Sequence, residues 1–128
     1  MIDAYLVGVS SLYEGEDIEV IYSIFQDERL LKKETVLMNY QKPAVVGQYA
    51  LLTLLKELEN HKDEEIIIRV NDAALLEVVR GVSTTKNVDI QKMGRKTREQ
   101  LKKFPHCVIK DVGKDHTELA RWKEVLKP

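Results

Sequence analysis

The stretch Ile66-Ile67-Ile68-Arg69-Val70-Asn71-Asp72-Ala73-Ala74-Leu75-Leu76 decides how this chain is read. Ile66, Ile67, Ile68 and Val70 form a short β-branched run bounded by polar residues, the pattern of a buried strand. Asn71 or Asp72 then caps a helix in which Leu75, Leu76 and Val79 recur at helical spacing, and Gly81 ends it.

Upstream, residues 2–11 are apolar on both alternating sets, which predicts a strand covered on both sides. An acidic turn at Glu14, Gly15, Glu16 and Asp17 leads to strands over Glu19–Phe25 and Leu31–Met38, joined around Asp27 and Glu28. The three strands read as an antiparallel meander. Pro43 opens a helix that carries Val45, Gln48, Tyr49, Leu51, Leu52, Leu55 and Leu58 on one broad face and fades at Asn60 and His61.

Downstream, Ile90, Met93, Thr97, Leu101 and Phe104 fall on one helical stripe, stopped by Pro105. Cys107–Val112 reads as a fifth strand, and Asp115 or His116 starts a last helix with Leu119, Trp122 and Leu126 inward. The order is β-β-β-α-β-α-α-β-α. It predicts an α/β fold, a mixed five-strand sheet with helices packed on it, over one domain spanning residues 1–128.

With 128 residues, 44% of them hydrophobic and 32% charged, the chain is expected to build its core without disulfides or a metal staple. The single cysteine, Cys107, has no internal partner, which points to a reducing compartment; it reads as a small buried hydrophobe. No apolar run reaches the length of a membrane span and the start lacks a signal-peptide pattern, so no membrane contact and a cytoplasmic location are expected. The net charge of −1 hides an asymmetry, since residues 1–64 are acidic on balance and residues 65–128 basic. Glycine-rich phosphate loops, cysteine pairs and zinc signatures are missing, and His61, His106 and His116 lack metal-ligand spacing.

The element order, the long first helix and the Asn71-Asp72-Ala73-Ala74-Leu75-Leu76 turn together resemble the ribonuclease H-like superfamily, in its ribonuclease HI-type and reverse-transcriptase-like form. Lys86-Asn87-Val88-Asp89 and Glu118-Leu119-Ala120 add to the likeness. The resemblance implies a site at which four carboxylates hold two Mg²⁺ ions: an Asp in the first strand, a Glu in the first helix, an Asp ending the fourth strand and an Asp in the last helix. Two hard cations need such anionic oxygens to stabilise the attacking and leaving oxygens of phosphodiester cleavage.

Carried over position by position, the resemblance puts Gly8 at the first site, or Val9 if the register slips, Gln48 at the second, Asn71 at the third and Thr117 at the fourth. Asn71 is preferred to Asp72 because it buries Leu75, Leu76 and Val79, whereas Asp72 would turn Glu77 and Arg80 inward. Gln48 and Asn71 keep the shape of the acids and lose the charge. The chain therefore reads as a catalytically degenerate member, not an enzyme, with no cofactor and no metal. A minor alternative is a rearranged metal site at Asp72, Asp115 and Glu118.

What chemistry remains is electrostatic. Lys86, Lys92, Arg95, Lys96, Arg98, Lys102 and Lys103 face only Asp89 and Glu99 in the same segment, a basic helix face suited to phosphate. An RNA–DNA hybrid or another nucleic acid, held with modest and salt-sensitive affinity, is one expected partner. The alternative is a protein partner or self-association through the acidic first half or a sheet edge.

Overall fold

A computed structural model describes residues 1–127. It contains strands β1 (Ile2–Val9), β2 (Ile18–Gln26), β3 (Arg29–Met38), β4 (Ile66–Val70) and β5 (Cys107–Asp111). The helices are α1 (Pro43–Glu57), α2 (Ala73–Val79), α3 (Val88–Leu101) and α4 (His116–Val125). The sheet order is β3-β2-β1-β4-β5, antiparallel from β1 to β3 and parallel from β1 through β4 to β5. This is the mixed five-strand sheet expected from the sequence, in the expected element order.

β1 is central and covered on both faces, and its alternation decides what packs where. Ile2, Ala4 and Leu6 point with Val20, Tyr22, Ile24, Ile66 and Ile68 into the core under α1. Tyr5 points the other way, to a smaller cluster with Val112, Trp122 and Leu126 on the α4 side. α1 has no side-chain cap; Pro43 in its first turn presets the backbone, and its 15 residues give it about 22 Å to cross the sheet. α2, α3 and α4 are capped by Asp72, Asn87 and Asp115, whose side chains accept from Leu75 N, from Asp89 N and Ile90 N, and from Glu118 N.

Several local expectations shift. β3 begins at Arg29, because Gln26 pairs directly with Arg29 around a two-residue turn in which Asp27 and Glu28 both take positive φ. A 3₁₀ turn at Glu59–His61 follows α1, where His61 pairs with Glu64. The inward face of α2 is Leu75 and Val78, with Leu76 and Val79 only half-buried. Cys107 packs against the edge of the core, and burial pushes its thiol up to about 11, so it stays protonated at neutral pH. Among the described residues no helix is long and apolar enough to cross a membrane.

Candidate functional site

The parallel strands β1, β4 and β5 end on the same side of the sheet, and there the residues singled out in the sequence come into two neighbouring hollows. The first is a cavity of about 40 Å³ lined by Gly8, Gly47, Ala50, Asn71, Asp72 and Trp122 among others. That is room for one or two water molecules. It is small because β1 lies against α1. A Cβ on Gly8 would stand 2.9 Å from Val46 Cγ1, 3.1 Å from Ala50 Cβ and 3.1 Å from the Val46 carbonyl oxygen.

Asn71 and Asp72 diverge where β4 passes into α2. Asp72 Oδ1 accepts from Leu75 N at 2.9 Å, and Asp72 N donates to Asp111 Oδ1 at 3.2 Å. Asp72 Oδ2 faces α1, 2.7 Å from where a Cβ on Gly47 would stand. Asn71 turns toward the β5–α4 loop, its Oδ1 2.8 Å from the Cβ position of Gly113. The carboxylate that looks across to α1 is thus that of Asp72, and the α1 residue opposite it is Gly47.

Gln48 is placed elsewhere. One residue further round α1, it is turned about 100° from Gly47, and it is buried in the wall of the second hollow, a cleft of about 470 Å³ between α1, α2, α3 and the 83–85 segment. Thr117 is exposed on the α4 side, in a groove with Tyr5, Arg69, Glu118 and Arg121. The structure therefore brings Gly8 and Asn71 to one cavity and separates Gln48 and Thr117 from it.

The three acids Asp72, Asp115 and Glu118 do not gather either. Asp72 and Asp115 each cap a helix. Glu118 belongs to an ion-pair network on the α4 face: Arg69 donates to Glu118 Oε1 at 3.3 Å and to Asp3 Oδ1 at 2.7 Å, and Lys110 Nζ lies 2.6 Å from Glu118 Oε2. The Lys110 ammonium first, then the Arg69 guanidinium, hold the Glu118 carboxyl below its usual range against the opposing pull of burial. Arg69 also stacks over Tyr5, 5.5 Å from the ring centre. Among the described residues no three His, Cys, Asp or Glu side chains converge as a metal site would require.

The basic segment divides. Lys86, Lys92, Arg95, Lys96, Lys102 and Lys103 are exposed. Arg98 is not part of that surface: it turns inward, and its Nη1 donates to the Val78 carbonyl at 2.7 Å. Carbonyls at the end of a helix lack partners within it, and Arg98 supplies one to α2. Gly94 lets α3 approach closely enough for this, since a Cβ there would stand 2.8 Å from Val78 Cγ1. The helical stripe Met93, Thr97 and Leu101 leaves residue 98 beside the inward face, a hint that the count of charges concealed.

The turn after β1 carries the opposite sign. Glu14, Glu16 and Asp17 lie next to Leu12 and Tyr13, which are 94% and 67% exposed. These apolar side chains had no counterpart in the sequence reading, because nothing in an isolated turn says whether its apolar residues find a core.

Neither a protein-family model nor a curated protein matches the chain. Solved structures do. The RNase H1 of the halophilic archaeon Halobacterium salinarum superposes with a TM-score of 0.78 at 18% identity, over 91% of this chain and 89% of that one. LC11-RNase H1, isolated from compost, superposes at 0.79 and 17% identity over 98% and 91%, and its complex with an RNA/DNA hybrid at 0.77. The N-terminal RNase H domain of a Mycobacterium tuberculosis protein gives 0.76 at 13% identity, over 97% and 92%. At these identities the likeness is one of fold, and the fold is ribonuclease H-like.

Proposed function

From this ribonuclease H-like fold we propose a catalytically inactive module that binds nucleic acid through the outer face of α3, by itself or as an accessory to a nucleic-acid-processing complex. The observation that carries the reading is the row Lys92, Arg95, Lys96, Lys102 and Lys103, exposed along α3 and the turn that follows it, with the other face of the helix anchored by Arg98. Lysine and arginine in such a row displace counterions from phosphates, so affinity should fall steeply with salt. LC11-RNase H1 was solved with an RNA/DNA hybrid, which makes a hybrid the first ligand to try.

Inactivity is supported by packing as well as by residue type. Gly8 leaves no space for a carboxylate against Val46 and Ala50, and a side chain on Gly47 would meet Asp72. The remaining acids already cap helices or pair with cations, and Mg²⁺ gives up its water reluctantly to anything less than well-placed anionic oxygens.

The test is fluorescence anisotropy with a labelled RNA–DNA hybrid and a DNA duplex. Reversing Lys92, Arg95, Lys96 and Lys102 to Glu together should weaken binding at least tenfold while leaving the circular dichroism unchanged. Unchanged binding would remove α3 from the account. Hybrid cleavage in Mg²⁺ or Mn²⁺ that copurifies with the chain and disappears in Asp72→Ala would overturn inactivity.

A second reading, a protein-interaction module, has its own observation in Leu12 and Tyr13 amid Glu14, Glu16 and Asp17. Exposed apolar residues within an acidic turn fit an apolar slot with a basic rim on a partner protein. Self-pairing through β3 is disfavoured, because that edge carries Lys32, Lys33 and Glu34 and a register shift opposite Ile24 and Phe25, the devices by which sheet edges avoid pairing. Partners recovered after nuclease treatment and lost in Tyr13→Ala would favour this reading over the first. The setting we propose is the cytoplasm, where the lone thiol of Cys107 stays reduced.

A further inference from the structure

Two exposed features of opposite charge on this chain are matched in chemistry. The first is the turn after β1, where Leu12 and Tyr13 stand in solvent beside Glu14, Glu16 and Asp17. Among the described residues no cation lies within ion-pair distance of these three acids. The turn is ordered from within. Tyr13 N donates to Ser11 Oγ at 3.2 Å, Ser11 Oγ donates to Glu16 Oε2 at 3.1 Å, and Glu16 N donates to the Tyr13 carbonyl at 3.3 Å. Gly15 closes it with φ +89°, which glycine adopts without strain. A segment ordered in advance loses less freedom when it docks.

The second is a depression of about 180 Å³ between α2 and α3. Small-molecule sites begin at about 300 Å³, so this one is of a size for a single side chain. Val78 and Ile90 give it apolar surface, and Arg95 and Arg98 line it from α3. Residues 95, 98 and 102 recur at steps of three and four, which sets Lys102 on the same line of α3. Arg98 is committed to the Val78 carbonyl, whereas Arg95 and Lys102 are exposed and make no ion pair among the described residues.

We infer that the 12–17 turn of one copy docks in this depression of a second copy, with Tyr13 on Val78 and Ile90 and with Glu14, Glu16 and Asp17 against Arg95 and Lys102. The inference rests on the reading of Leu12 and Tyr13 as a protein-interaction site and names its partner. Both halves of the contact are carried by one chain, and their charges are complementary. A net charge of −1 leaves little repulsion between whole copies to oppose them. A tyrosine can bury its ring while its hydroxyl stays wet, and a guanidinium beside it can stack on the ring. Leu12 and Tyr13 are open to solvent, so the turn does not fill the depression of its own chain. The contact joins two different surfaces, so it propagates from copy to copy unless both turns dock at once about a twofold axis. One turn buries less than a standard interface, which makes the association weak and dependent on concentration.

The experiment is sedimentation velocity of the full chain up to about millimolar concentration, at low salt and at about 1 M salt, where the screening length falls to about 3 Å. The average mass should rise with concentration at low salt and return to that of the monomer at high salt. Two variants break one half each: Tyr13→Ala with Glu14→Gln and Asp17→Asn, and Arg95→Gln with Lys102→Gln. Each alone should associate at least tenfold more weakly than wild type. Mixed in equal amounts they should form a one-to-one pair at close to wild-type strength, since each supplies the half that the other lacks. With the Arg95→Gln/Lys102→Gln chain ¹⁵N-labelled, the Leu12 and Tyr13 amides should shift on addition of the other variant, a result that also shows both to be folded. A wild-type chain that stays monomeric at low salt, or a mixture that does not pair, overturns the inference. Monomer throughout, with other protein partners still lost in Tyr13→Ala, overturns the second copy and leaves the turn as an interaction site. Association that survives Tyr13→Ala undiminished overturns the role of the turn as well.

Discussion

Two hollows share Gly47, Asp72 and Leu75 and differ about tenfold in size, about 40 Å³ behind Gly8 against about 470 Å³ beside Gln48. The first is closed by a strand and a helix in direct contact, because Gly8 and Ala50 are small enough to let β1 and α1 touch. The second is a wider cleft between α1, α2, α3 and the 83–85 segment. Small residues close one place, and polar residues line the other.

The largest expected effect comes from reopening the closed side. Gly8→Asp forces a Cβ to within 2.9 Å of Val46 Cγ1 and buries a carboxylate without a partner. It should destabilise by about 3–5 kcal/mol in urea unfolding. A Gly8→Asp protein as stable as wild type would show that the cavity yields, and the contrast between the hollows would fall with it.

Next is the spacing of the open side. Gly94→Ala puts a methyl 2.8 Å from Val78 Cγ1, a residue that lines the cleft. The gain in helix propensity offsets part of the clash, and a net loss of about 1–2 kcal/mol is expected. Hydrogen exchange should show α2 less protected, and wild-type protection would mean that the two helices are not held apart by this contact.

The α4 face provides a case in which charge is satisfied within the fold. Glu118→Ala leaves Lys110 without its partner and Arg69 with Asp3 alone. A loss of about 1–2 kcal/mol is expected at pH 7. Because the carboxyl is held below its ordinary value in the folded chain, its contribution is present above the unfolded value of about 4.3 and disappears as pH falls through the folded one. Unfolding curves of wild type and variant should therefore differ at pH 7 and converge as the pH is lowered past the folded-state value. A difference that persists in acid would assign the effect to packing.

The smallest effect lies at the far end of the sheet and is a control for both hollows. Glu28 has φ +70°, a conformation that costs a non-glycine residue about 1–2 kcal/mol. Glycine removes that strain and loses more freedom on folding, so Glu28→Gly should stabilise by about 0.5 kcal/mol, read as a slightly higher melting temperature with nucleic-acid binding unchanged. Destabilisation would mean that the Glu28 side chain holds the turn.

How much was legible follows from where each signal resides. The β-branched run Ile66–Val70 and the double-faced alternation of β1 are local patterns, and each produced the element it predicted, whereas α3 ends at Leu101, short of the expected stop at Pro105. The inward turn of Arg98 was hidden, because its partner is a carbonyl 20 residues earlier in the chain. Val78 was missed on α2 for a related reason: α3 packs against that side and extends the buried face beyond the stripe chosen by phase alone.

By itself the sequence determined the order of elements, the faces of the central strand and the sign of the charge along α3, because hydrophobic period and residue type act within a few positions of chain. Only the tertiary structure decided that Gly47 faces Asp72 while Gln48 lines the open cleft, and that Thr117 stands on the other side of the sheet. A helix turns about 100° per residue, so one step along α1 moves a side chain from one hollow to the next. Which step matters is set by how closely β1, α2 and α3 approach, a distance that depends on contacts far apart in the chain.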